Sequence, residues 1–140
     1  MSVYVDTSAF LAFLDADDEN HKAAKKVWTD LLESRETMVC NSYVLVETYA
    51  LVQHRLGMTA VRAFHEDVFP VMKLEWIDDF IHWQAANALL TADRRNLSLV
   101  DCTSFTTMRY LGIKKVFTFD KHFSEQGFTC IPTVLARFDK

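Results

Sequence analysis

The chain has 140 residues, 50% hydrophobic and 13% aromatic, with only three Gly and two Pro. This composition excludes a disordered or collagen-like chain and fits one compact domain, 1–140, with short loops and many helices. The net charge of −4 argues against binding a polyanion through bulk charge alone, and three scattered cysteines (Cys40, Cys102, Cys130) form neither a disulfide framework nor a CxxC zinc site.

Taken in order, Val3–Val5 is expected to form a short buried strand and Thr7–Leu14 a first helix, with Phe10, Leu11 and Leu14 on one side. The acidic knot from Asp15 to Asn20 is a turn whose charges suit the start of a second helix, His21–Ser34. Met38–Cys40 is the second strand, and Asn41 or Ser42 caps an apolar helix that runs to Leu56 and ends at Gly57. Another helix spans Thr59–Phe69 and stops at Pro70, followed by a third strand, Leu74–Ile77. Asp78 and Asp79 open a long helix to about Ala92, Asp101 heads a helix that stops near Gly112, Val116–Phe119 is the fourth strand, and Thr129–Ile131 is a short fifth. Strands alternating with long helices predict an α/β fold, with a mainly parallel sheet between two helical layers and ligands at the strands' carboxyl ends. No signal peptide and no apolar run of membrane-spanning length is evident, so a cytoplasmic protein is expected.

Four carboxylates stand out. Asp6 follows Val3-Tyr4-Val5, Asp101 follows Leu97-Ser98-Leu99-Val100, and Asp120 follows Val116-Phe117-Thr118-Phe119, so all three are expected at one edge of the sheet. Glu47 is the only carboxylate between Tyr43 and Val52, and His54 and Arg55 lie two turns further along, out of pairing reach. An unpaired buried charge there costs several kcal/mol. Each aspartate read alone has an ordinary role, Asp6 and Asp101 as helix caps and Asp120 as a turn residue. Read together, oxygen donors without a Cys or His partner favour a hard divalent cation, Mg²⁺ or Mn²⁺, and the chemistry such ions serve is phosphodiester hydrolysis. Thr7, Ser8 and Ser104 are placed to orient these acids, to touch a phosphate oxygen, or simply to cap their own helices. His122 is read as non-catalytic, because no nucleophile accompanies it.

Charge is segregated along the chain. Met1–Asp93 carries 7 Lys and Arg against 15 Asp and Glu, whereas Arg94–Lys121 carries 6 against 2. Arg94, Arg95 and Lys121 are therefore candidates for holding the phosphates of a polyanion, against the ordinary reading of solvated surface cations. Trp28, Trp76, Trp83 and Tyr110 are expected in the core rather than stacked on bases.

The motifs Val3-Tyr4-Val5-Asp6-Thr7-Ser8-Ala9, Glu47 in its apolar helix, Leu99-Val100-Asp101-Cys102-Thr103-Ser104-Phe105 and Phe117-Thr118-Phe119-Asp120-Lys121-His122-Phe123, in that order and separation, resemble those of PIN-domain ribonucleases, most closely the VapC-type toxins of toxin–antitoxin pairs. The resemblance spans the whole chain. It implies a three-layer α/β/α sandwich, a Mg²⁺ or Mn²⁺ site held by Asp6, Glu47, Asp101 and Asp120 with Asp6 and Asp101 as direct ligands, cleavage of single-stranded RNA, a small antitoxin partner and a homodimer. Cys102 departs from it, standing where many relatives carry a small apolar residue. A housekeeping RNA-processing nuclease and a non-catalytic RNA- or protein-binding domain share the same fold and remain alternatives. A phosphomonoesterase with an aspartyl nucleophile is disfavoured, since such enzymes need a second Asp two positions later, where this chain has Ser8.

Overall fold

Val3, Tyr4 and Val5 are wholly buried, and their strand, β1 (Ser2–Val5), lies at the centre of a five-stranded sheet. A strand covered on both faces reads as an unbroken apolar run rather than an alternating one. A computed structural model describes residues 1–133; the last seven residues of the expected domain lie outside the described residues.

Around β1 the order is β3 (Met72–Glu75), β2 (Thr37–Asn41), β1, β4 (Lys115–Phe117), β5 (Thr129–Ile131), and every pairing is parallel. The helices α1 (Thr7–Leu14), α2 (His21–Ser34), α3 (Ser42–Leu56) and α4 (Met58–Ala63) carry the chain leftward from β1 to β3. α5 (Asp79–Ala92) and α6 (Leu99–Leu111) return it across the sheet to β4, and α7 (His122–Glu125) leads on to β5. Right-handed crossovers put α1–α4 over one face and α5–α7 over the other, which is the expected three-layer sandwich. Strand order reverses at β1, so the crevice at its carboxyl end is where a ligand of such a sheet binds. Among the described residues no helix is long and apolar enough to cross a membrane.

Polar side chains tie α6 to the sheet. The Tyr4 hydroxyl meets Ser104 Oγ at 2.9 Å, and Asn41 Nδ2 donates to Thr103 Oγ1 at 3.3 Å and Thr107 Oγ1 at 3.2 Å, all of them buried. The Asn41 carbonyl oxygen Oδ1 also accepts from Val44 N at 2.9 Å, capping α3. Asn41→Ala removes a cap and the two bonds that the buried Thr103 and Thr107 hydroxyls accept, while each keeps its own bond to a backbone carbonyl, so a loss of about 2–3 kcal/mol is expected from urea unfolding. A loss below about 0.5 kcal/mol would show that these contacts do not hold the layers together.

Several expected boundaries move; the fourth strand spans Lys115–Phe117 rather than Val116–Phe119, and Phe119 N bonds Ser8 Oγ at 2.9 Å instead. The helix expected over Thr59–Phe69 is α-helical only to Ala63, passes through a π-helical turn over Phe64–Val68, and tightens to a 3₁₀ turn over Phe69–Val71. Pro70 has no N–H to continue an i→i−4 ladder and its ring crowds the preceding turn, while Phe69 N reaches back five residues to Phe64 O. The third strand ends at Glu75 rather than Ile77, because its partner β2 stops opposite it at Asn41, and Ile77 N bonds Ser42 Oγ at 2.9 Å instead. The cap position expected of Asp101 belongs to Ser98, the N-cap of α6, so Asp101 stands in that helix's first turn.

Candidate metal centre

Asp6 ends β1 and caps α1, and it is only 4% exposed. Its Oδ2 accepts from Ser8 Oγ at 2.9 Å, Thr118 Oγ1 at 3.0 Å and Ser8 N at 3.4 Å. Even with three donors, burial raises the Asp6 pKa to about 7; the Asp101 and Asp120 charges add to the rise, and the Ser8 and Thr118 hydroxyls oppose it. Ser8 is the hub that fixes this corner, since its Oγ also meets Thr118 Oγ1 at 3.1 Å and accepts from Phe119 N at 2.9 Å.

Asp101 is placed by a capping box. Ser98 N donates to its Oδ2 at 3.1 Å, and its own N donates to Ser98 Oγ at 3.0 Å. Burial raises its pKa too; the Asp120 charge adds to this, and the bonds from Ser98 and the nearby His122 oppose it. Asp120 follows the end of β4, where Thr118 Oγ1 accepts from its N at 3.0 Å and its Oδ1 accepts from His122 N at 2.9 Å. Glu47, on α3, is only half-buried, against the expectation of a fully buried charge. Burial raises its pKa, the Thr7 hydroxyl lowers it, and the Asp101 and Asp120 charges raise it further. Asp6 and Glu47 thus both feel Asp101 and Asp120, so the fold gathers all four acids at one rim. The amino ends of α1 and α6 meet there, which favours anions and anionic substrate groups.

The tightest group is Asp101, Asp120 and His122, whose donor atoms all lie within 4.8 Å of one another. Asp6 and Glu47 stand outside that trio among the described residues. Carboxylates that repel one another at a single rim fit a divalent cation by charge and donor chemistry. Grooves of about 430 Å³ open elsewhere, one around Met1, Gly112 and Thr129 and one around Val27, Leu31 and Pro132. Neither contains any of the four acids, so charge rather than cavity size marks the site.

The PIN domain pattern matches residues 3–128 of this chain. The chain belongs to the PIN-domain family. It is similar to the 23S rRNA-specific endonuclease VapC20 of Mycobacterium tuberculosis, 35% identical over 127 residues that cover 90% of this chain and 95% of that protein. The crystal structure of that Mycobacterium tuberculosis protein, described as a Sarcin-Ricin loop cleaving toxin, superposes with a TM-score of 0.80 at 33% identity, covering 91% of this chain and 96% of that one. VapBC2 from Rickettsia felis, solved bound to a DNA fragment from its promoter, superposes with a TM-score of 0.69 at 10% identity, covering 93% and 97%, a likeness of fold alone. The expected family and the α/β/α architecture are therefore both borne out.

Within this PIN fold the remaining expected residues take varied places. Thr7 is buried beside Glu47, its Oγ1 accepting from Thr48 Oγ1 at 3.4 Å. Ser104 is wholly buried and its hydroxyl meets that of Tyr4, which favours the structural one of its expected roles. Arg94, Arg95 and Lys121 are exposed; Arg94 pairs with Glu125 Oε1 at 3.3 Å, and Lys121 adjoins Asp120. Trp28 is core, packed 5.0 Å from Phe13. Trp76 (76% exposed), Trp83 (64%) and Tyr110 are at the surface, against expectation. Phe80, Trp83 and Leu90 lie three and seven residues apart and form one exposed stripe on α5.

His122, read from the sequence as non-catalytic, lies among the acids. It is 7% exposed, with Nδ1 2.9 Å from Asp120 Oδ1 and 3.8 Å from Asp101 Oδ2. The available signal was its place two residues after Asp120, where an Asx turn brings the ring back over the carboxylate.

Proposed function

We propose that this PIN-domain protein is a divalent-metal-dependent endoribonuclease that acts in the cytoplasm as the toxin of a toxin–antitoxin pair. The observation that carries this reading is the gathering of Asp6, Glu47, Asp101 and Asp120 at one rim, where Asp6 and Glu47 are both raised by burial and further by the charges of Asp101 and Asp120. Asp101 and Asp120 would hold Mg²⁺ or Mn²⁺, with Asp6 and Glu47 completing the negative field. When bound, such an ion supplies Lewis-acid stabilisation for the scissile phosphate and makes an attacking water more acidic. Ser8 and Thr118 hold Asp6 in place through its Oδ2, and Ser98 holds Asp101. The amino ends of α1 and α6 and the exposed Lys121 face the phosphate backbone.

The similar Mycobacterium tuberculosis protein, named for 23S rRNA and the Sarcin-Ricin loop, supports ribosomal RNA as the substrate to try first. A small antitoxin that places a cation over the acids, and a second copy of the chain, are the protein partners of this reading. Purified protein is expected to cut 23S rRNA at a discrete position in Mg²⁺ or Mn²⁺, more weakly as salt rises, and not in EDTA or as Asp101→Asn. Light scattering on the same preparation is expected to read twice the chain mass. Undiminished cutting in EDTA or by Asp101→Asn would overturn the assignment.

A further inference from the structure

We propose that His122 supplies a nitrogen ligand to the ion held by Asp101 and Asp120, and that this nitrogen makes the site select Mn²⁺ over Mg²⁺. The inference rests on the metal-dependent reading above and adds a ligand and a selectivity to it.

The ring is directed into the acid cluster by its surroundings. The His122 N–H donates to Asp120 Oδ1 at 2.9 Å, and the next residue, Phe123, is wholly buried, so the side chain is fixed from both sides. Nδ1 then lies 2.9 Å from Asp120 Oδ1 and 3.8 Å from Asp101 Oδ2. The shorter approach has the distance of a hydrogen bond without its direction: among the described residues neither Nδ1 nor Nε2, both buried, has a hydrogen-bond partner. A buried imidazole without a satisfied nitrogen is uncommon in a folded protein. Here its Nδ1 lies beside two carboxylates with its bonding capacity unused.

The spacing suits an ion. Bonds near 2.1 Å let two donors share a cation at separations up to about 4.2 Å. The three donor atoms lie within 4.8 Å, so a shift of less than about an ångström closes the set around the ion. Mixed nitrogen and oxygen donors discriminate between the two ions. Mg²⁺ holds to oxygen ligands and sheds water reluctantly, whereas Mn²⁺ accepts imidazole alongside carboxylates and binds N/O sites more readily. The other histidines do not compete. His21 Nδ1 meets Ala12 O, His65 and His82 are bonded to Tyr49 and Tyr43, and His54 is exposed on the last turn of α3.

The test is electron spin-echo envelope modulation on the full chain loaded with Mn²⁺. The wild type is expected to show ¹⁴N modulation that changes to the ¹⁵N pattern on labelling the histidines and disappears in His122→Gln. By calorimetry His122→Gln is expected to weaken Mn²⁺ tenfold or more while Mg²⁺ changes less than twofold. If His122→Gln does not fold, the labelled wild type carries the test by itself. Bound Mn²⁺ with no nitrogen modulation would overturn the proposal, leaving His122 as a residue that only positions Asp120 and leaving the metal-nuclease reading intact. A wild type that binds no Mn²⁺ would overturn both.

Discussion

Asp6→Asn is expected to end RNA cleavage while making the metal-free protein more stable. The loss of activity follows from removing a charge from the field that holds the ion. Several kcal/mol of transition-state stabilisation at about 1.4 kcal/mol per decade correspond to a fall of about 10³-fold. The gain in stability follows from burial. A carboxyl whose pKa is raised to about 7 is ionised at pH 8 only at a cost to the fold. Asn keeps the shape and one acceptor oxygen for Ser8 and Thr118, so most of that cost vanishes. A gain on the order of 2 kcal/mol, or several degrees in Tm, is expected at pH 8 in EDTA. Below about pH 4 the wild-type group is neutral in the folded and the unfolded chain alike, and the two proteins should melt together. An Asp6→Asn protein that still cuts RNA at the wild-type rate would remove Asp6 from the site. An unchanged Tm at pH 8 would mean that the acid is not buried at a cost.

The second large effect is the pH dependence of the metal-free wild type. Asp6 moves from 3.8 to about 7 on folding, and Glu47 and Asp101 shift in the same direction. A raised acid lends stability that is fully present below its unfolded value and is lost as pH climbs through the folded one. Stability in EDTA is therefore expected to fall between about pH 4 and pH 8, by on the order of 4 kcal/mol at most for Asp6 alone. A divalent ion favours the ionised acids, and at a hundred times its Kd it returns about 2.7 kcal/mol, so Mn²⁺ should flatten or reverse the slope. Urea midpoints across this range, with EDTA and with Mn²⁺, read both arms. A flat or rising profile in EDTA would contradict the burial and mutual repulsion of the acids.

Much of the fold was legible before any coordinates. The buried run Val3-Tyr4-Val5, the acids before the second helix, Asn41 ahead of an apolar stretch and Asp78 before a long one each predict an element that forms. The observed α1 and α2 carry the expected bounds, Thr7–Leu14 and His21–Ser34. Local chemistry sets those ends, and local chemistry is what a sequence displays. Asp101 was found as a site residue at the head of its helix, but was read as the cap where Ser98 could serve equally. The pair Ser98 and Asp101, three residues apart, was the capping signal that decides between them. Trp76 and Trp83 were taken for core because an apolar face meant for solvent or for a partner has the same periodicity as one meant for the interior. His122 lies beyond such reading in another way. Its significance comes from a carboxylate on α6, twenty-one positions back in the chain, which only the folded crossing brings beside it.

The buried hydroxyl and amide contacts beneath α6 bear on how sharply the acids are aligned. Oily surfaces slide over one another with little penalty, whereas Tyr4 against Ser104 and Asn41 against Thr103 and Thr107 admit a single offset along the helix axis. These three rungs act as an index, setting how far Asp101 projects toward Asp6 before any ion arrives. A crossing helix seated on leucines alone would let that gap drift, and with it the selectivity of the pocket for one cation over another.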